Sequence, residues 1–174
     1  MQPDSAVVVV CDAGPLIHLD QLSSLELLAD MGRIVVPAAV WDEVKRHRPT
    51  ALTNKKLSLE CVAVNEPLEA IVVALARVFS LDTGEREALS LMREFPSSMF
   101  LTDDAAARLV SMQLGHEVHG TIGVLIRAIR RGLRTSDQVA ALLAEILKRS
   151  TLYIRQDLLE KVLQRVKAAN HLTA

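Results

Sequence analysis

Ala6-Val7-Val8-Val9-Val10-Cys11-Asp12-Ala13-Gly14-Pro15 is the stretch on which the fold turns. Ala6–Cys11 reads as a strand, and four successive valines without polar alternation predict burial on both faces. Such a strand belongs in a parallel sheet covered by helices on either side. Asp12 follows directly, and Ala13-Gly14-Pro15 turns the chain into a helix.

The rest of the chain repeats this alternation. Pro15–Met31 is helical with a break near Gln21–Ser24, and Arg33–Val36 is a second strand. Pro37 is placed to be the first residue of the next helix. Ala51–Asn54 reads as a loop, Leu57–Val64 as an exposed or edge strand, and Leu68–Phe79 as a helix. Asp82-Thr83-Gly84-Glu85 opens a helix reaching about Phe95. Ser98–Leu101 is a strand, followed by a helix over Asp104–Leu114 that Gly115 terminates. Glu117–His119 is the last short strand, and a helix runs from Thr121 to about Arg131. Val139, Leu142, Leu143 and Ile146 form one further apolar stripe, and Leu158, Leu159, Val162, Leu163 and Val166 another.

With 174 residues, 50% of them hydrophobic and only 3% aromatic, one α/β domain with an aliphatic core is expected over 1–174. Its core spans about 6–134 and a C-terminal helical appendage about 135–170. The net charge of −1 argues against a generic nucleic-acid coating protein, though a local basic patch remains compatible with it. Cys11 and Cys61 lie in apolar strand-like stretches and read as small buried thiols, reduced in a cytoplasmic protein. No signal peptide is visible, and no apolar run is long enough to span a membrane.

In open parallel sheets, ligands bind beyond the carboxyl ends of the strands. Asp12 stands there after the first strand, and Asp103 and Asp104 after the strand ending at Leu101. At about 100° per residue, Glu43 borders the inner face marked by Val40 and Val44. Glu85 projects onto the face of Ala88, Leu89 and Met92, with Glu87 at its edge. The same projection turns Asp103 inward and Asp104 to the side. Asp12, Glu43, Glu85 and Asp103 are therefore the expected catalytic, metal-holding set, with Asp104 and Glu87 as further candidate ligands. Clustered carboxylates repel one another, and a hard dication, Mg²⁺ or Mn²⁺, is the fitting counter-charge. Thr102 and Thr121 are placed to hydrogen-bond such carboxylates or to cap helices. For phosphate contact the candidates are Lys45, Arg46 and Arg48 beyond Glu43, and Arg127, Arg130 and Arg131 in the last core helix, with Arg134 just after it. His116-x-x-His119 puts its rings on opposite faces of a strand, which argues against a shared metal.

The motifs resemble those of the PIN-domain family. Asp12-Ala13-Gly14-Pro15-Leu16-Ile17 resembles the start of its prokaryotic members, and Trp41-Asp42-Glu43-Val44 its second motif. Gly84-Glu85-Arg86-Glu87-Ala88, Leu101-Thr102-Asp103-Asp104 with Arg108, and Gly120-Thr121-Ile122-Gly123-Val124-Leu125 resemble the later ones. Leu152–Val166 is similar to the C-terminal helix of one poorly characterised prokaryotic branch. The resemblance implies a three-layer α/β/α fold with four to five parallel strands and extra C-terminal helices. It also implies a divalent-metal-dependent endoribonuclease, with VapC-like toxins of toxin–antitoxin pairs among the relatives. RNA, a cognate antitoxin and a second copy in a homodimer are the partners it suggests. The family's Thr-x-Asp pattern favours Asp104 over Asp103, and Glu-x-Glu leaves Glu85 and Glu87 in competition. The rival class is a non-catalytic PIN-like module that binds RNA or protein. Aspartyl-phosphate chemistry fits poorly, because Asp-Ala-Gly replaces an Asp-x-Asp pair and no lysine follows a later strand end.

Overall fold

In the computed structural model, which describes residues 7–64 and 69–170, the valine run forms β1 (Val8–Cys11) at the centre of a parallel sheet. Around it lie β2 (Arg33–Pro37), β3 (Leu59–Val62), β4 (Met99–Leu101) and β5 (Glu117–His119), in the order β3-β2-β1-β4-β5. Side chains alternate across this sheet. Val9, Cys11, Ile34, Val36 and Leu101 enter one buried cluster, and Val10, Val35 and Phe100 the other.

Each cluster is closed by helices, which gives three layers. The first is covered by α1 (Ala13–Gln21), α2 (Ala38–His47), the short α3 (Pro49–Leu52), α7 (Thr121–Arg130), α8 (Ser136–Arg149) and α9 (Gln156–Asn170). The second is covered by α4 (Ala70–Phe79), α5 (Thr83–Glu94) and α6 (Ala105–Gln113). The C-terminal helices are no outlying appendage. Leu143, Ile146, Leu159 and Val166 share the first cluster with Leu16 and Leu19, each side chain contributing about 1.5–3 kcal/mol of burial.

Several local expectations need correction. Pro37 ends β2, paired with Val62, and its helix begins at Ala38, because the proline backbone is still extended (φ −55°, ψ 148°). The first half of the expected loop at Ala51–Asn54 is the end of α3, which has Pro49 at its start and Ala51 fully buried, while Thr53 and Asn54 leave the helix as expected. Cys11 is buried as expected, but Cys61 is exposed, since β3 is an edge strand and only half covered. Ala6 and Leu68, the predicted starts of a strand and a helix, lie outside the described residues. Gly115 ends α6 as expected with φ +84°, a conformation that favours glycine. Among the described residues no helix is long and apolar enough to cross a membrane.

Candidate active site

The chain runs outward from β1 to β3 and then returns to place β4 on the other side of β1, so the strand order reverses between β1 and β4. A crevice opens at such a reversal, beyond the carboxyl ends of the strands. Asp12 stands in it. Its N–H donates to the Leu101 carbonyl (2.9 Å), continuing the ladder by one residue. Its Oδ1 accepts from the Ala13 N–H (2.8 Å), capping α1, and its Oδ2 accepts from the Thr102 hydroxyl (2.8 Å). Burial pushes the Asp12 carboxyl up to about 6 against these two hydrogen bonds, and Asp82 and Glu43 add to the push.

The neighbouring helices bring further acids. Glu43 comes from α2; burial and then Asp82 raise its pKa, while His47 and Arg46 draw it back. Asp82 and Glu85 form a capping box on α5: the Glu85 N–H donates to Asp82 Oδ1 (2.9 Å) and the Asp82 N–H to Glu85 Oε2 (2.8 Å). Glu85 is raised to about 7, by burial first and then by Asp82, Asp104 and Asp12, the Asp82 N–H opposing. Gly84 lets α5 lie close on α2, since a Cβ there would stand 2.9 Å from Val40 Cγ2. Asp104 caps α6 through the Ala107 N–H (2.7 Å), and its own N–H donates to Thr102 (3.1 Å).

Together these side chains line a cleft of about 410 Å³ that holds six carboxylates, Asp12, Glu43, Asp82, Glu85, Asp103 and Asp104. His18 lies beside them, and no Lys or Arg is among the described residues lining the cleft. The N-termini of α1, α5 and α6 face this edge, and their dipoles offset part of the negative charge. In the sequence Asp82 carries only the signature of a helix cap. It is a cap and a cleft acid at once.

Asp103 and Asp104 both line the cleft, and each is held by its own partners. Asp103 Oδ1 accepts from the Thr121 N–H (2.8 Å), and its Oδ2 accepts from the Thr121 hydroxyl (2.6 Å) and faces His18 Nδ1 (2.8 Å). It thus ties the last turn of α1, through His18, and the start of α7 to the end of β4, while the charge of Asp104 acts on Glu85. A 100° rotation per residue does not rank the two, because both precede Ala105, the first helical residue. Thr102 and Thr121 hold Asp12 and Asp103 respectively, as hydrogen-bonding partners of cleft carboxylates.

Glu87 does not reach the cleft. Its carboxylate accepts from the Ala39 N–H (2.8 Å), satisfying the start of α2, where Pro37 offers no side-chain cap. Glu87→Ala is expected to cost about 1 kcal/mol of stability, with Glu87→Gln far milder because an acceptor remains. Urea titration of both variants checks this, and wild-type stability in Glu87→Ala would show the contact to be unimportant.

The expected basic patches are mostly spent elsewhere. Arg127 and Arg131 pair with Asp30 (2.7 and 3.1 Å). They lie with Arg130 about 9–15 Å along α7 from its cleft end, at the opposite edge of the sheet. Arg134 pairs with Glu26, and Arg48 with Asp20. Lys45 and Arg46 remain exposed on α2, with Arg46 near enough to Glu43 to lower its pKa.

Whether a metal suits this cleft is decided by its donors. Among the described residues no three His, Cys, Asp or Glu side chains converge into a ready-made metal site. The donor set is nevertheless oxygen-rich, strongly acidic and without a basic counter-charge, which fits a hard dication and no softer ion.

A family model described as DUF3368: PIN domain matches residues 8–168. No curated protein matches the sequence. Among solved structures, the fold is similar to that of a PilT N-terminus domain protein from the hyperthermophilic archaeon Sulfolobus solfataricus. The two are 12% identical with a TM-score of 0.53, over 71% of this chain and 94% of that one.

Proposed function

The chain belongs to the PIN-domain family, whose members are in general nucleases that work with divalent metals, and from that premise we propose that it is a Mg²⁺- or Mn²⁺-dependent endoribonuclease. One observation carries the reading: six carboxylates line one cleft with no Lys or Arg among the described lining residues, and Asp12 and Glu85 are raised to about 6 and about 7 there. A protein gains nothing in stability from burying acids against one another. The arrangement makes sense as a receptacle for positive charge.

Asp12, Glu43, Glu85 and Asp104 are the residues that would hold the ion, with Asp82 adding negative charge. Asp103 acts as a strut rather than a ligand, since three donors already occupy its oxygens. A dication bound there supplies Lewis-acid charge to a phosphodiester and makes water a better nucleophile. Thr102 fixes the Asp12 carboxylate, and Thr121 and His18 fix Asp103. Glu43, half-buried at the rim, is placed to orient the attacking water.

The test is calorimetric titration with Mn²⁺, alongside incubation with a mixed single-stranded RNA pool in Mn²⁺ or EDTA and sequencing of the new ends. Metal binding with cleavage only in Mn²⁺ is expected. No heat of binding and no new ends would leave the non-catalytic binding module as the better reading.

A further inference from the structure

Thr151–Arg155, the irregular segment between α8 and α9, crosses the molecule beside the acidic cleft. Its start is held by Gln21, whose Oε1 accepts from the Thr151 N–H (2.9 Å). Leu152 and Ile154 are buried in the main core (7% and 9% exposed), so alternation turns Tyr153 and Arg155 outward. Tyr153 is the only tyrosine of the chain, yet it is 86% exposed. Packing gives no reason for an aromatic ring in that position.

Its surroundings do. Tyr153 lines both the acidic cleft and an adjoining groove of about 390 Å³. In that groove stand Arg108 and Arg155, the latter in an exposed, solvent-screened ion pair with Asp157 (3.3 Å), so positive charge borders the cleft that has no Lys or Arg among its described lining residues. Arg108 is pinned through long hydrogen bonds to the carbonyls of Thr102 (3.3 Å) and Val118 (3.4 Å). Among the described residues it makes no ion pair, so its charge stays available. Gly120 and Gly123 keep the floor low. A Cβ at Gly120 would come within 2.5 Å of Asp103 Oδ1 and 2.8 Å of the Arg108 guanidinium.

We propose that this groove is where a single strand of RNA lies next to the scissile phosphate, with Tyr153 stacking on an unpaired base and Arg108 and Arg155 meeting the flanking phosphates. The assignment rests on the ribonuclease reading and adds to it a substrate path and a positioning residue. A single strand is required, because a duplex hides the base face that an exposed ring would stack on. Charge supports the same occupant: a polyanion avoids an acidic cleft unless cations flank its approach.

The experiment compares wild type, Tyr153→Ala, Tyr153→Phe and Arg155→Ala for fluorescence-anisotropy binding of a labelled single-stranded oligoribonucleotide, in EDTA and in Ca²⁺. Tyr153→Ala is expected to weaken binding about ten-fold, while Phe, which keeps the ring, matches wild type. Arg155→Ala should reduce the slope of log affinity against log salt by about 0.7, the share of one phosphate contact. Mn²⁺ titration should be unchanged in all variants, and the exposure of Tyr153 means that none should misfold. Wild-type affinity in Tyr153→Ala, an equal loss in Tyr153→Phe, or no RNA binding by wild type overturns the groove assignment. The two readings separate cleanly. Cleavage by Tyr153→Ala with an unaltered KM would sink the groove and leave the ribonuclease standing. Tyr153-dependent binding without any cleavage would do the reverse.

Discussion

Asp12→Asn is expected to reduce RNA cleavage about a thousand-fold while making the metal-free protein more stable. The loss follows from removing the most buried charge of the cleft, since a catalytic dication contributes several kcal/mol to phosphoryl chemistry and each 1.4 kcal/mol is about ten-fold in rate. The fold should survive. Asn caps helices as well as Asp, so its carbonyl oxygen can still accept from the Ala13 N–H, and the Thr102 hydroxyl can turn to accept from the new amide. The gain follows from the raised carboxyl, lifted from 3.8 to about 6, which makes the ionised side chain a burden of at most about 3 kcal/mol above that pH. Asn removes it. At pH 8 in EDTA the variant should melt about 5–10 °C above wild type. Lower activity with unchanged or lower melting temperature would mean that Asp12 is not strained by burial.

The second large effect is on wild type itself. Asp12 and Glu85 have folded pKa values of about 6 and about 7, above their ordinary 3.8 and 4.5. Between about pH 4 and 7 the folded protein therefore keeps protons that the unfolded chain has released, and stability falls as pH rises through that window. Above about pH 8 the loss is complete. Without metal the melting temperature should drop steadily from pH 5 to pH 8. At pH 8, Mn²⁺ at about a hundred times its Kd should restore about 2.7 kcal/mol, or about 5–10 °C, and at pH 5 the same addition should do much less. A flat pH profile in EDTA, or equal rescue at both pH values, would show that these carboxylates do not share one cation.

Much of this was legible in the chain because strand burial and helix caps leave strong local marks. Four valines announced the central strand, and Asp12 followed from its end. The capping box at Asp82 and Glu85 was readable too, but one motif served two purposes, and the cap concealed a cleft acid. Glu87 was misleading, since which of two nearby carboxylates turns to the sheet edge depends on the close approach of α2 and α5. Asp103 and Asp104 could not be ranked by helical projection, because both precede the first residue of α6. The arginines of α7 illustrate a third limit: clustering along a sequence says nothing about which end of a helix meets the site, and Asp30 comes from a distant stretch.

The late return of β4 to the side of β1 also bears on how this molecule is made. Cys11 and Leu101 are partners in the ladder although 90 positions separate them, so their pairing closes a long loop whose entropy must be met before the contact rewards it. An emerging polypeptide that already carries Asp12, Glu43 and Glu85 still has no crevice to gather them in. The crevice therefore exists only once synthesis has passed the fourth strand.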